Sequence, residues 1–426
     1  MKYNLKYVNE IEKEEFEELK KKEYHSCKNL GVDVLENGIV LPFEKQEDIT
    51  YGGVIREDRT YSEYSRDSDI TATDFSKYPI EWDNIPYSED TVLYLGLYKE
   101  QWGHFITSVV SRLWYLVEHF DENIKIVYST GDYAFSADEI KGNYLKFFEL
   151  LHISKEQLIE VKEPCRFKKV IVPEVSHVPE TYYTDEFKKM YDYIRDSVQL
   201  DRPVYKKVYF TRCGNSILDE HDFGEKALKD IFEKNGFQVI EPSGYSVEEQ
   251  IWIIKNADTI ATVSGSLTHN LLFAKDDVEL VVLNRQGYPM LTHLYQGAIN
   301  EMRNANVTHI EASLRLLPVN GAGPNIFYIS DELLEFLKDS GYSYIPVRKK
   351  ESVWRKYLVL VWYFFRWLDI HNKRNPLRLK RLEGQLDDRS IRIYAFFREK
   401  IDWYDSKKGE KLKKRFYHIV NKYGRI

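Results

Sequence analysis

The amino-acid sequence predicts an α/β fold with parallel strands, and three observations carry that expectation. Residues 204–284 read as consecutive strand–helix–strand units: strand 207–210, a polar loop over 211–219, helix 223–235, a stop at Gly236 and strand 237–240. The order continues through TIATVSGSLTHN at 259–270, where a buried strand runs through a small-residue turn into a helix, and through LLFAKDDVELVVLN to a further apolar strand. Another strand–loop–helix unit stands upstream, with VLYLGLY at 92–98, a loop at 99–103 and a helix at 104–119. Strands alternating with helices at this spacing imply a parallel sheet, whose ligands sit beyond the carboxyl ends of the strands.

The remaining elements follow in chain order. A charged helix at 10–22 leads into short strands with turn signals at Glu36-Asn37-Gly38 and Tyr51-Gly52-Gly53. IKIVYST at 124–130 resumes the sheet, 142–151 is helical, 157–161 and 169–172 are short strands, and a helix at 186–198 bridges toward Pro203. The expected division follows that bridge: residues 1–200 as an N-terminal α/β domain, 201–347 as a second one, and 348–426 as a basic, aromatic, helical tail. A length of 426 residues accommodates this plan, and no repeat of fixed period interrupts it.

Composition narrows the class. Hydrophobic content of 43% with 30% charged residues suits a soluble globular protein, and the 32 tyrosines fit either sugar-handling surfaces or large aromatic cores. Cys27, Cys165 and Cys213 lie far apart and form no CxxC pair, so neither a disulfide framework nor a zinc site is implied, and a reducing cytoplasm is expected. The opening MKYNLKYVNEIEKEEFEELKKK is charged throughout and lacks the apolar stretch of a secretory leader.

The net charge of −7 hides a division between body and tail. From Arg348 onward 23 Lys and Arg stand against 9 Asp and Glu, a surplus of +14, which leaves −21 on the rest. An acidic body argues against nucleic acid, whereas the tail suits an anionic membrane surface. Its apolar stretch at 357–365, bounded by Arg355, Lys356, Arg366, Lys373 and Arg374, is too short for a bilayer span of about 20 residues. Trp354, Trp362 and Trp367 beside those cations match a helix lying in the headgroup plane, and the same pattern fits a core helix of a helical subdomain.

Within the second α/β unit, Gly265 lets an anion approach backbone N–H groups, and Ser264, Ser266 and Thr268 surround it with hydroxyls. The following helix would add its positive dipole end. An ordinary β–α turn with Ser266 as helix cap satisfies the same residues. Asn270, four residues after Ser266, is expected to brace the loop. In SVEEQ, Ser246 and Glu249 have capping-box spacing, which accounts for Glu249 structurally.

Taken together, YFTRCGNS followed by NGFQVIEPSGYSVEEQIWIIKNADTIATVSGSLTHNLLFAKDDVELVVLN resembles the glycosyltransferase family 61 pattern. That pattern consists of an Arg-bearing loop, a GF-x-V-x-x-P strand, an S-x-x-EQ helix start, an A-x-x-I strand and a G-x-x-x-x-N-x-x-F turn. A weaker resemblance extends upstream through GGVI at 52–55 and WGHFITSVVSRLWYL at 102–116. The resemblance implies a GT-B-like α/β fold, two Rossmann-like domains facing a cleft, with a nucleotide-sugar donor on the second domain and the acceptor side on the first.

It also implies roles. Arg212 would hold the diphosphate, with Ser264, Gly265, Ser266, Thr268, His269 and Asn270 forming the turn around it, and Glu249 or Gln250 reaching the ribose or base. His104, at the head of a helix behind Gly103, is the expected general base, with Asp132 as a second catalytic candidate and His269 and His293 behind them. Asp67-Ser68-Asp69 is the one clear D-x-D match and has no β-α-β unit before it, so no obligatory metal and no cofactor beyond the donor are expected. The function implied is inverting transfer of a sugar to a glycan or lipid-linked acceptor in bacterial surface-polysaccharide synthesis, by a cytoplasmic enzyme peripheral to the inner membrane face. A polyol-phosphate or other nucleotide-dependent transferase, and a non-catalytic membrane scaffold, fit the same frame.

Overall fold

In the computed structural model, residues 2–46, 49–66, 80–130, 140–213, 222–285, 289–313, 325–344 and 363 are described. The sequence-predicted tail at 348–426 and the pair Asp67 and Asp69 therefore lie outside the described residues, Tyr363 excepted. No helix among the described residues is long and apolar enough to cross a membrane.

Two sheets organise the chain. The second contains six strands, all parallel, in the spatial order Lys2–Tyr7, Asn306–Glu311, Glu279–Asn284, Thr259–Val263, Lys207–Phe210, Gln238–Ile240. Every residue of Thr259–Val263 is buried, as expected of a central parallel strand covered on both faces. One member was not legible from the N-terminal region. Lys2–Tyr7 pairs with Asn306–Glu311 rather than with its sequence neighbours, so a piece of the predicted first domain is hydrogen-bonded into the second sheet.

The first sheet is mixed, not a plain Rossmann layer. Strands Cys165–Pro173, Tyr87–Leu97, Lys125–Ser129 and Leu158–Glu160 are parallel neighbours, while Val32–Glu36 and Ile39–Gln46 run antiparallel to Cys165–Pro173, and Ile49–Ile55 closes a hairpin on Ile39–Gln46. The short strands are thus antiparallel additions to a parallel core; Asn37-Gly38 connects the first two, whereas Gly52-Gly53, expected as a turn, lies inside the strand Ile49–Ile55 and pairs across to Ile39–Gln46.

The helices depart from prediction in one informative place. The segment expected as one helix over 104–119 is broken into Trp102–Thr107, a 3₁₀ turn Val109–Arg112, and Trp114–Glu118. Ser111 uses its hydroxyl on the Ser108 carbonyl and accepts Ser176 N–H on its own carbonyl, drawing backbone groups out of the helical ladder. Arg112 is fully buried and donates to the carbonyls of Tyr64, Arg66, Leu95 and Pro173, so the break is held by side chains that a periodicity count does not see.

One apolar core runs between the sheets. It joins Leu93 and Leu95 of the first sheet, Phe105, Phe147, Phe148 and Tyr191 of the intervening helices, and Phe273, Val208 and Leu280 on the side of the second. Edge-to-face contacts of Phe105 with Phe147, and of Tyr191 with Phe273, tie this layer together. The helices at 102–107 and 266–269 are in contact, which brings the carboxyl-end loops of the two sheets to a common seam.

Candidate functional site

Three adjacent strands of the parallel sheet end in the residues of interest. Lys207–Phe210 is followed by Thr211 and Arg212, Thr259–Val263 by Ser264 and Gly265, and Glu279–Asn284 by Arg285. Gly265 has φ 136° and ψ −162°, a conformation open essentially to glycine alone. A Cβ there would lie 3.3 Å from Nη1 of Arg285 and 4.0 Å from Nη1 of Arg212. Two guanidinium groups therefore converge over the turn whose backbone is bare.

Side chains beneath hold this arrangement. Buried Glu225 accepts from Arg212 N–H at 3.0 Å and from the Thr211 hydroxyl at 2.9 Å, so its carboxylate pins the loop carrying Arg212. The buried Ser264 hydroxyl accepts from Arg285 N–H at 3.0 Å, and Thr268 turns its hydroxyl back onto the Gly265 carbonyl at 2.7 Å. Ser264 and Thr268 thus shape the turn, and Ser266 beside Gly265 is exposed. The α-helix that follows is only Ser266–His269, succeeded by a 3₁₀ turn Asn270–Phe273, so little dipole accumulates behind Gly265. The expected helix-end charge is replaced by Arg285, and Gly265 rather than Ser266 takes the cap position.

On the other side of the seam stands the head of Trp102–Thr107. A Cβ on Gly103 would lie 3.1 Å from the Ser266 Cβ and 3.2 Å from Cδ2 of His269, so the missing side chain permits direct packing of one half on the other. Trp102 donates its indole N–H to Asn270 Oδ1 at 2.6 Å. This gives Asn270 the bracing role expected of it, across the seam rather than within its own loop. Half-buried His104 meets the Tyr295 ring at 5.9 Å, and His269 meets the same ring at 6.2 Å, so Tyr295 lies against both imidazoles.

Burial sets the charge of the neighbouring histidines. His269 is lowered to about 4, first by desolvation, against a raising bond to Gln296 and with a further lowering by His104. His177, stacked on Phe187 and bonded through Nδ1 to the Thr107 carbonyl, is likewise lowered to about 4 by desolvation. Both imidazoles are neutral at pH 7, and half-buried His104 is the more accessible ring of the group.

Other predicted residues sit apart from this cluster or outside the description. Glu249 forms the capping box with Ser246 and contacts Arg202 at 3.4 Å. Gln250 is buried and donates to the carbonyls of Pro242 and Tyr245 at 3.0 and 3.1 Å, which commits its amide to the preceding loop. Neither is brought to Gly265 by any of these contacts. Asp132 lies outside the described residues, and His293 falls within helix Pro289–Met302 with its side chain outside them. Among the described residues no group of three or more His, Cys, Asp or Glu gathers as a metal site. Arg285 and Glu225 were missed at the sequence level. The available signal for Arg285 was its position directly after the apolar strand ending in Asn284; Glu225 had none, since a glutamate in a first helical turn is ordinary.

Two predictions follow from packing and charge. Gly103→Ala must displace Ser266 or His269 by a few tenths of an ångström within a dense core, and we expect it to lower unfolding stability by about 1–3 kcal/mol, read from urea titration. The depressed His177 and His269 bind protons in the unfolded chain but not in the folded one between pH 6.5 and 4, so stability is present above pH 6.5 and is lost as pH falls toward 4. Urea midpoints at pH 7.5 and 4.5 should show this loss, on the order of 3 kcal/mol per group, and His177→Phe should flatten the slope.

Comparison with known protein families finds one match. The Glycosyltransferase 61 family profile covers residues 102–281, beginning at the seam helix and ending within the strand that precedes Arg285. No curated protein matches the chain.

Proposed function

With residues 102–281 belonging to glycosyltransferase family 61 and the chain thereby a glycosyltransferase, we propose that it is an inverting enzyme with a GT-B-like arrangement of its two sheets. The observation that supports this most is the convergence of Arg212 and Arg285 over Gly265 at the carboxyl ends of neighbouring parallel strands. A nucleoside diphosphate is the leaving group of such a transfer, and two fixed guanidinium groups with bare backbone amides can neutralise its growing charge without a metal ion.

His104 is the proposed general base. The acceptor hydroxyl oxygen attacks the anomeric carbon of the donor, the bond from that carbon to the diphosphate oxygen breaks, the hydroxyl proton passes to the His104 imidazole, and the electron pair leaves with the nucleoside diphosphate. Attack from the face opposite the leaving group inverts the anomeric centre. His104 follows Gly103, which packs against Ser266, and this nearness of the helix head to the turn after Gly265 supports the reading that base and phosphate site share one seam.

A glycan or lipid-linked acceptor, as in bacterial surface-polysaccharide synthesis, is the reading that agrees with the basic aromatic tail, which would bring the enzyme to the inner face of the membrane.

A panel of nucleotide-sugars assayed for donor hydrolysis tests the reaction. Arg212→Ala and Arg285→Ala should each lower kcat/KM by about 100-fold and weaken nucleoside diphosphate binding, whereas His104→Ala should lower kcat by about 100-fold with that binding intact. Full activity in all three would refute the site. For the tail, the triple variant Trp354→Ala, Trp362→Ala, Trp367→Ala should co-sediment with anionic vesicles several-fold less than the wild type; equal sedimentation would rule out an interfacial role.

A further inference from the structure

A line of buried amides runs from the N-terminal strand to the seam. His269 Nδ1 lies 2.8 Å from Gln296 Oε1, Gln296 Nε2 donates to Asn300 Oδ1 at 2.9 Å, and Asn300 Nδ2 donates to the Tyr3 hydroxyl oxygen at 3.2 Å. Gln296, Asn300 and His269 are all nine-tenths buried or more. Tyr3 lies in Lys2–Tyr7, the strand that pairs with Asn306–Glu311, so the chain's first residues reach the site through two side chains of helix Pro289–Met302.

The direction of this chain determines the imidazole. A carbonyl oxygen only accepts, so with Gln296 Oε1 facing the ring, Nδ1 carries the proton and Nε2 keeps its lone pair. Turning the Gln296 amide alone would set its oxygen against Asn300 Oδ1, and turning the Asn300 amide alone would set its NH2 against that of Gln296. Among the described residues no hydrogen bond reaches Nε2, and the adjacent ring carbon Cδ2 is the atom 3.2 Å from the missing Cβ of Gly103. The acceptor edge of His269 thus faces the seam, with His104 close enough to act on its charge.

We propose that Tyr3, Asn300 and Gln296 are positioning residues that hold His269 with Nδ1 protonated, so that Nε2 accepts a hydrogen bond from a hydroxyl of the donor sugar. The inference rests on the diphosphate reading of Arg212, Gly265 and Arg285. If the phosphates lie over Gly265 and the proton acceptor is His104, the sugar ring spans the interval, and His269 is the buried acceptor along it. A neutral imidazole suits a hydroxyl donor, since a protonated one would leave the sugar O–H without an acceptor. Burial of His269 keeps it neutral through the working pH range.

The test uses the full chain labelled with ¹⁵N-histidine, with UDP, GDP and their hexose conjugates as probes. In the unliganded protein the His269 signal, assigned by its absence in His269→Gln, should be that of the Nδ1–H tautomer and should not titrate between pH 5.5 and 8.5. An Nε2–H tautomer would overturn the relay. Addition of a binding UDP- or GDP-hexose should move the Nε2 resonance in the direction of hydrogen-bond acceptance, and the matching diphosphate alone should not; an identical response to both would overturn the sugar contact. Absence of binding by any diphosphate would overturn the site reading as well, and is distinguished because the tautomer in the free protein would stand. Gln296→Leu should raise the donor KM or lower kcat roughly tenfold, and Gln296→Glu, which retains an acceptor for Nδ1–H, should recover most of that loss. Equal losses in the two variants, or loss of fold in both with Asn300→Leu fully active, would show that the relay does not position the ring.

Discussion

The direct packing of Gly103 on Ser266 and His269 is the constraint from which the rest of the site follows. Two sheets, each with its own strand order, meet where a helix head from one touches the turn after a central strand of the other. Any side chain at position 103 would stand within 3.1–3.2 Å of its neighbours and push them apart. Because the core on either side is continuous and dense, that displacement has little room to be absorbed. The Trp102 to Asn270 hydrogen bond then sets the orientation of the two parts as well as their separation.

The site is assembled from groups with opposite needs, and burial sorts them. Glu225 is inside and takes several donors, which leaves the Arg212 side chain positioned above a loop that cannot drift. His177 and His269 are inside and are kept neutral by desolvation, while His104 stands at the boundary. Positive charge therefore gathers over Gly265, on Arg212 and Arg285, while the buried imidazoles of His177 and His269 are neutral. Fixed positive charge of this kind can stabilise an anion that develops beside it.

The strand–helix succession from 204 to 284 was legible because each element is long, apolar and bounded by turn residues. The family match over 102–281 agrees with the motifs that suggested it. The chemistry around Gly265 was legible only in part. A glycine after a buried strand is a recognisable signal, and the capping box at Ser246 and Glu249 forms as spaced. By contrast, Ser264 and Thr268 look in sequence like ligand donors and are consumed by the turn, and Gln250 is consumed by its own loop. A polar residue's hydrogen-bond partner is a neighbour in space, and nothing in its spacing distinguishes a carbonyl of the same turn from an oxygen of a ligand.

The sequence by itself determined the α/β class, the parallel strand–helix–strand units of the second sheet, the small-residue turn at Gly265 and the motifs that resemble glycosyltransferase family 61, since all of these rest on local patterns of apolarity and glycine. Only the tertiary structure decided that Arg285 joins Arg212, that residues 2–7 complete the second sheet, and that the helix after Gly265 is a single turn. It likewise decided that a tyrosine at position 3 is linked to an imidazole at position 269. Those outcomes depend on which strand ends become neighbours and which polar groups are stripped of water together, and both are settled when the sheets are packed.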